Sequence, residues 1–453
     1  MANSELLTGF VVALLSTSAV TSAAKAETFT LAEALSLAYE SNPQLEAQRA
    51  ALRASDEEVA KALAGWRPSV TAEGSYGYER GEYFVIPGPQ SGTTPREGTV
   101  TVSQPLFRGD TIANIRKAKA LVESGREQLA ATEVSVLLNA ATAYLDVVRY
   151  QDEVKIEQDN VQALQNLRDV VSTRVMLGDL SRTDLAQSEG RLQSAMEQVQ
   201  LAQSQLAGAR ATFEQYVGRP AESLEAQTIF PVVPESYDAA ISIAVQNNPS
   251  LLYARAQEVA AGYAVDAAFG ALFPTLSLQG QYQRSADLVA RGIKINSVSV
   301  TAQLTIPLYQ GGAEYAGIRE SKEQRNQAGY NVADAERQVR QQVQTADESM
   351  RNAQAAMRID ENQVAATQIA FEGAEQETVA GTRTTLDVLI AEQDLVSARV
   401  SLVTARRNAY VGAYQLLSGT GGLTAKALNL PVKLYDPQVH YDQDATRWFG
   451  FGN

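Results

Sequence analysis

The sequence of 453 residues predicts an α+β membrane protein built from two copies of one structural unit. Three observations lead to this fold class. Short motifs recur in the same order about 200 residues apart, two segments alternate apolar with polar residues, and very long proline-free segments flank them. Each unit is therefore expected to place one β-hairpin between long helices.

The internal repeat is defined by motifs that keep their order and a nearly constant offset. Asn42-Pro43 recurs as Asn248-Pro249, and the prolines of the Gln104–Gly109 and Ile306–Gly311 motifs correspond. Gly178 and Asp184 recur as Gly381 and Asp387. We interpret 27–218 and 237–419 as the two repeats, with a linker at 219–236 and a C-terminal tail at 420–453.

Each repeat contains one predicted β-hairpin, at about 68–107 and about 274–307. Val70, Ala72 and Tyr76 alternate with Ser, Thr and Glu, and the segments around Tyr282 and Val298 alternate in the same way. The Gly- and Pro-rich stretch 81–98 is predicted to be a loop. A soluble sandwich would alternate similarly, but polar faces of Ser, Thr and Gln beside long helices favour a wall between lipid and water.

Four long helices are predicted at about 110–177, 182–217, 313–380 and 384–417. A helix of 67 residues is roughly 100 Å long, so it needs partners along its whole length. Leu192, Ala195 and Leu206 belong to a 3-4 repeat of small and apolar residues, and Leu395 and Ala398 continue it in the second repeat. This repeat predicts coiled-coil packing. An ordinary antiparallel coiled coil of a cytosolic scaffold is the alternative.

Composition excludes several functional classes. Asp and Glu total 52 against 38 Lys and Arg, and this net charge of −14 argues against nucleic acid as a partner. The absence of cysteine excludes disulfides and thiolate chemistry, and the single histidine excludes most His-based catalysis and multi-His metal sites.

The N-terminus predicts export from the cytoplasm. Residues 6–24 are uncharged and mostly apolar or small, and Ala24-Lys25-Ala26 fits a signal-peptidase site, so 1–26 is predicted to be a signal peptide. Glu5 in place of a basic residue is unusual. Beyond this segment no run of about 18 apolar residues occurs, so the mature chain would cross a membrane only as a β-barrel.

The number of strands predicts an oligomer. Four strands cannot close a barrel, and open strand edges are not tolerated in lipid. Three chains would supply a transmembrane barrel of twelve strands around an aqueous passage, continued by a periplasmic α-helical coiled-coil barrel.

The segment Gly381-Thr382-Arg383-Thr384-Thr385-Leu386-Asp387-Val388-Leu389, together with the repeat, the Asn-Pro breaks and the paired hairpins, closely resembles the TolC family of outer-membrane efflux and type I secretion proteins. The resemblance covers about 30–419. It implies a homotrimeric exit duct in the cell outer membrane that docks a periplasmic adaptor (membrane fusion protein) and an inner-membrane pump of RND or ABC type. It implies no enzyme activity, no cofactor and no metal. A periplasmic coiled-coil scaffold or adaptor without a membrane barrel is the alternative.

The resemblance also implies a pore aperture and gate latch at the periplasmic end. Arg383 matches an arginine that tethers one helix pair to the next, Asp387 matches a ring-forming aspartate, and Thr183 and Asp184 match the acceptors on the first-repeat turn. Ile390 replaces a second aspartate, and Thr378 replaces a supporting tyrosine, so the aperture should be less negative and its latch weaker. Without the family, both aspartates would be first-turn helix residues favoured by the helix dipole.

Aromatic residues of the hairpins are candidates for a lipid-interface belt. Tyr76, Tyr78 and Tyr282 are assigned to it, whereas Phe107 and Tyr309 could equally pack in a core. The single histidine, His440, is expected to be an exposed tail residue.

Overall fold

The computed structural model describes residues 29–80, 92–221, 224–288 and 291–451. The predicted signal peptide lies outside the described residues. The helices and strands of the first repeat are α1 (Leu31–Ser41), α2 (Pro43–Leu63), β1 (Ser69–Tyr76), β2 (Arg96–Phe107), α3 (Thr111–Leu177) and α4 (Arg182–Val217). Those of the second are α5 (Tyr237–Asn247), α6 (Pro249–Gly270), β3 (Thr275–Ala286), β4 (Lys294–Thr305), α7 (Ala313–Val379) and α8 (Thr385–Gly419), followed by α9 (Pro437–Asp444).

The Asn-Pro motifs break a helix in the same way in both repeats. Asn42 ends α1 and caps α2, where its Oδ1 accepts a hydrogen bond from the Gln44 N–H at 2.9 Å. Its Nδ2 donates to the Tyr216 carbonyl at 3.0 Å. Asn248 is equivalent: its Oδ1 accepts from the Ser250 N–H, and its Nδ2 donates to the Gly419 carbonyl at 2.9 Å.

An arginine repeats the symmetry at each break. Arg49 donates to the Tyr39 carbonyl at 3.1 Å, and Arg255 donates to the Val245 carbonyl at 3.1 Å. Donor and acceptor are ten residues apart in both cases. The recurring residues of the sequence therefore make the same contacts, so the two repeats are two copies of one unit in three dimensions.

The strands form one antiparallel sheet in the order β1-β2-β3-β4. Residues that pair across strands lie on the same face of a sheet. The register pairs Ala72 with Val100, Val100 with Tyr282 and Tyr282 with Val298, so the predicted apolar residues share one face. The other face carries Thr71, Thr101 and Gln281 at matching positions.

Both edges of this sheet and its apolar face are open in a single protomer. β1 pairs only with β2 and β4 only with β3 among the described residues. On the apolar face, Val298 is 78% exposed and Val300 is 72% exposed. Residues 81–91 of the predicted loop 81–98 lie outside the described residues. Its predicted end at 98 is wrong, because β2 begins at Arg96, which pairs with Tyr76 and Ala286.

The long helices pack as two antiparallel pairs, α3 with α4 and α7 with α8. Most residues of the predicted 3-4 repeat are buried, including Leu192, Ala202 and Leu206 in α4 and Leu395 and Ala398 in α8. No helix in the described ranges is apolar over enough of its length to cross a membrane.

The main core lies midway along the long helices, where the linker and the C-terminal tail cross them. Tyr144 and Phe213 are fully buried there, and the Tyr144 hydroxyl lies 2.9 Å from the Phe29 carbonyl oxygen and 2.6 Å from that of Glu225. From the tail, Leu423 is buried in the same core, and the Ala425 N–H donates to Glu133 at 2.7 Å. The tail is therefore packed on the helices.

The expectation that His440 is an exposed tail residue is wrong. Its side chain is 27% exposed, and its Nδ1 lies 2.9 Å from Oδ2 of Asp56, which is almost completely buried in α2. The prediction failed because α9 folds back against α2, a contact between residues nearly 400 positions apart.

Candidate functional site

The residues predicted for the aperture lie in two turns at the end of the helices remote from the sheet. α3 and α7 each leave the sheet and extend for 67 residues, which is about 100 Å at 1.5 Å per residue. Gly178 (φ 85°) and Gly381 (φ 78°) begin the two turns in the left-handed conformation, which glycine adopts without steric cost.

Each turn ends in a capping box that involves the predicted aspartate. The Ser181 N–H donates to the Asp184 carboxylate at 2.9 Å, and the Asp184 N–H donates back to the Ser181 hydroxyl at 3.2 Å. Thr384 and Asp387 make the same two contacts at 3.0 and 3.3 Å. Such reciprocal bonds satisfy N–H groups that the first helical turn leaves unpaired.

The hydrogen bonds of these boxes keep both aspartates ionised. The Ser181 hydroxyl and N–H lower the pKa of Asp184, and the Thr384 hydroxyl and N–H, followed by the Arg383 charge, lower that of Asp387. Both carboxylates therefore carry negative charge at the helical tip over the whole neutral range. Both aspartates lie in the first turn of their helices, which is the alternative role expected from the sequence. A carboxylate in this position can also face a pore.

Arg383 forms its ion pair within its own turn. Its Nε lies 2.6 Å from Glu377 Oε2, and both side chains are about half exposed. In the described part of the protomer no hydrogen bond joins Arg383 to Thr183 or Asp184. The predicted link to a neighbouring helix pair therefore remains a prediction about the assembled protein.

The structure also places Thr378 and Ile390, the two positions near the turn where the sequence departs from the family pattern. Thr378 donates its hydroxyl to the Thr384 carbonyl at 3.4 Å, which links the two ends of the α7–α8 turn. Ile390, in place of an aspartate, is 46% exposed and adds no charge. Thr183 is exposed in the first turn of α4.

Glu392 was not predicted from the sequence, although its pKa is shifted further than that of any other carboxyl group described near the tip. It is only 5% exposed on α8, and burial, followed by the nearby Glu375 charge, raises its pKa to about 7. A signal was available, because Glu392 lies one turn after Val388 and one turn before Leu395, both in the 3-4 repeat. An acidic side chain beside that repeat is expected to be buried when the helices pack.

The predicted lipid-interface tyrosines are exposed but lie at different heights. Tyr76 and Tyr78 lie at the loop end of β1 and are 75% and 70% exposed. Tyr282 pairs with Val100, four positions along β2 from Arg96, the partner of Tyr76. Four strand residues correspond to about 13 Å, so Tyr282 does not share one level with the other two. Phe107 and Tyr309 are exposed as well.

Comparison with known proteins then connects this architecture to a family. The model of the family described as outer membrane efflux protein matches residues 34–219 and 240–422, which correspond to the two repeats. The chain belongs to the outer membrane efflux protein family. A similar relative is the outer membrane efflux protein BepC of Brucella suis, 34% identical over 93% of this chain and 91% of that protein.

Other members of the family are similar over most of the chain. The outer membrane protein TolC of Vibrio cholerae is 26% identical over 93% of this chain and 96% of its own length. Among solved structures, CusC has a TM-score of 0.77 at 19% identity, covering 87% of this chain and 93% of its own. The outer-membrane channel OprN also has a TM-score of 0.77, at 20% identity, covering 86% and 90%.

Family membership defines the function at the level of the class. The chain is an outer-membrane exit channel for efflux or secretion, with a large periplasmic helical part, and its family consists of transport channels and not of enzymes. The alternative of a scaffold or adaptor without a membrane part is therefore wrong.

Proposed function

We propose that three copies of the chain close one twelve-stranded barrel and one helical tube, which together form the exit duct of a tripartite efflux or type I secretion system. The observation that supports the trimer is the four-stranded sheet, in which both edge strands lack a further partner among the described residues and the apolar face is uncovered. Unpaired backbone groups are costly in lipid, and pairing β4 of one copy with β1 of the next removes every open edge.

The pairing of β1 with β4 is testable by engineered cysteines, because the natural chain contains none. Thr71 in β1 and Thr301 in β4 lie on the polar face of the sheet. The double variant Thr71→Cys, Thr301→Cys should give covalent trimers with a bifunctional maleimide. Each single variant should stay monomeric on a denaturing gel. Monomers from the double variant, despite modification of both cysteines, would reject barrel closure.

We propose further that Arg383, Asp387, Thr183 and Asp184 form the gate at the periplasmic end. The support is their placement: all four lie in the two turns at the far end of the helices, where exposed charged groups of three copies would surround the axis. Charge-assisted hydrogen bonds between neighbouring turns would hold the closed state, and partner proteins would release it.

The latch is tested by conductance in planar bilayers. Arg383→Ser should raise single-channel conductance because the closed end loosens. Arg319→Ser is the matched control, since it removes the same charge from an exposed position of α7 near the sheet. Equal conductance for wild type and Arg383→Ser would remove Arg383 from the latch.

The aperture charge is tested separately from helix capping. Asp387→Asn should weaken block of the channel by divalent cations, because it removes one negative charge per copy from the aperture. Thr384→Ala disrupts the same capping box and leaves the charge, so it should retain the block. Retained block in Asp387→Asn would place Asp387 outside the pore.

The proposed partners are a periplasmic adaptor and an energised inner-membrane pump, which would engage the helical end. The names of the relatives include both efflux and protein export: BepC is an efflux protein, and AprF of Pseudomonas aeruginosa, 25% identical over 73% of this chain, is an alkaline protease secretion protein. In either system the substrate passes through the duct without chemical change.

A further inference from the structure

The single histidine of the chain belongs to a cluster of charged groups far from the helical tip. His440 and Asp444 lie one turn apart on α9, and Asp56 and Glu57 lie next to each other on α2. Ligand atoms of Glu57, His440 and Asp444 all lie within 4.8 Å of one another. The cluster joins the C-terminal tail to the first repeat.

The imidazole ring of His440 has a buried carboxylate behind one of its two nitrogens. Nδ1 lies 2.9 Å from Oδ2 of Asp56, a side chain that is 1% exposed. A carboxylate at this distance accepts a hydrogen bond from Nδ1–H, and in the neutral tautomer that makes this bond the lone pair lies on Nε2. A carboxylate behind a histidine in this way is the usual outer-shell partner of a metal-bound imidazole.

Nε2 faces an acceptor and not a donor. It lies 3.3 Å from Oδ2 of Asp444, which makes no hydrogen bond with any described residue. Asp444 is only 8% exposed, and its other oxygen forms an ion pair with Arg447 at 2.7 Å. When the ring is neutral and its proton is on Nδ1, Nε2 and this oxygen both offer lone pairs, and a cation between them would satisfy both.

The distances and donor types select the class of cation. Two ligands that each lie about 2.0–2.1 Å from a tetrahedral zinc ion are about 3.3 Å apart, which is the separation of Nε2 and Oδ2. Imidazole nitrogen with carboxylates suits zinc-like ions, whereas magnesium and calcium prefer oxygen ligands alone. Glu57 is exposed, so it can rotate to complete the set, and water can reach the remaining position.

The charges around the ring also favour one added cation. Asp56, Glu57 and Asp444 contribute three negative charges. Arg447 pairs with Asp444, and Arg126, which pairs with Glu123, also faces Asp56. The three carboxylates outnumber the two arginines that face them, and a divalent ion would offset their negative charge.

We propose that Glu57, His440 and Asp444 bind one divalent cation of the zinc class, with Asp56 as the positioning residue behind His440, and that this ion fastens α9 to α2. The site is independent of the duct and its gate. It would make the folding of the C-terminal tail onto the helices dependent on metal.

The proposal is tested with full-length trimer purified in detergent and treated with a chelator. Titration with Zn²⁺ in a calorimeter should give one ion per chain. His440→Gln should abolish this binding, and Asp56→Asn should weaken it about 10- to 100-fold. Glu58→Gln is the matched control, because Glu58 is the next carboxylate on α2 and pairs with Lys61 outside the cluster. It should bind as wild type does.

Two further measurements distinguish a built site from weak binding to an acidic surface. Co²⁺ bound at the site should give the visible absorption bands of a four-coordinate ion, and these should be missing in His440→Gln. Zn²⁺ should also slow proteolysis in the tail of wild type and of Glu58→Gln. Equal Zn²⁺ binding by wild type and His440→Gln would overturn the proposal. It would also be overturned if wild-type protein bound no Zn²⁺ although its tail resisted protease.

Discussion

The burial of Glu392 predicts that the stability of the helical tip depends on pH. Its side chain is 5% exposed on α8, near the packing of α3, α4 and α8 around Leu389. A carboxyl group in this position loses hydration when it ionises, and the Glu375 charge opposes ionisation further. Glu392→Gln keeps the shape of the side chain and removes the charge at every pH.

The magnitude follows from the shift in pKa. The pKa rises from 4.5 to about 7 on folding, so the folded tip binds the proton more tightly than the unfolded one. Its free energy of unfolding should therefore be highest below pH 4.5, fall between pH 4.5 and 7, and stay low above pH 7. A difference of about 2.5 pKa units corresponds to at most about 3 kcal/mol.

Hydrogen exchange of α8 at a fixed pH measures this difference directly. At pH 8, amides around residue 392 should be protected in Glu392→Gln up to roughly 300-fold more than in wild type, and at pH 4.5 the two should be nearly equal. Glu189→Gln is the matched control, since Glu189 occupies the equivalent position of α4 but is exposed. Equal protection of Glu392→Gln and wild type at pH 8, or an equally large difference at pH 4.5, would refute the reasoning.

Three further changes test the packing of the repeats and the tail. Asn248→Ala removes the cap of α6 and the hydrogen bond to Gly419, so it should lower the free energy of unfolding by about 2–3 kcal/mol. Asn248→Asp keeps the cap acceptor and should lower it less. Equal losses for the two variants in thermal unfolding in detergent would show that the cap is irrelevant. Tyr144→Phe removes a buried hydroxyl that lies within hydrogen-bond distance of the Phe29 and Glu225 carbonyl oxygens, so we expect a loss of about 1–2 kcal/mol in the same assay. No loss would contradict the role of the hydroxyl. Leu423→Ala opens a cavity in the main core, so it should lower the free energy of unfolding by about 2–5 kcal/mol and expose the tail to protease. Leu434→Ala, at a half-exposed position, is the control and should not expose the tail. Similar digestion of the two variants would show that Leu423 does not hold the tail.

The sequence by itself determined the features that depend on local periodicity. The twofold repeat, the Asn-Pro breaks and the alternation in the hairpins were visible in the chain, because helix caps and the two faces of a strand are set by neighbouring residues. The 3-4 repeat around Leu192 and Leu395 likewise predicted how the long helices pack. The fold class could therefore be predicted before any coordinates, and the resemblance carried by 381–389 and the repeat predicted the channel function.

The tertiary structure decided the features that depend on contacts between distant residues. The burial of Glu392, the return of the tail over the main core, and the position of His440 beside Asp56 all arise from packing between separate helices. No local pattern marks these contacts, because burial and the pKa of a carboxyl group depend on what covers it and not on its neighbours in sequence. For the same reason a single protomer shows Asp387 as part of a helix capping box, whereas its proposed place at the aperture depends on how copies of the chain assemble.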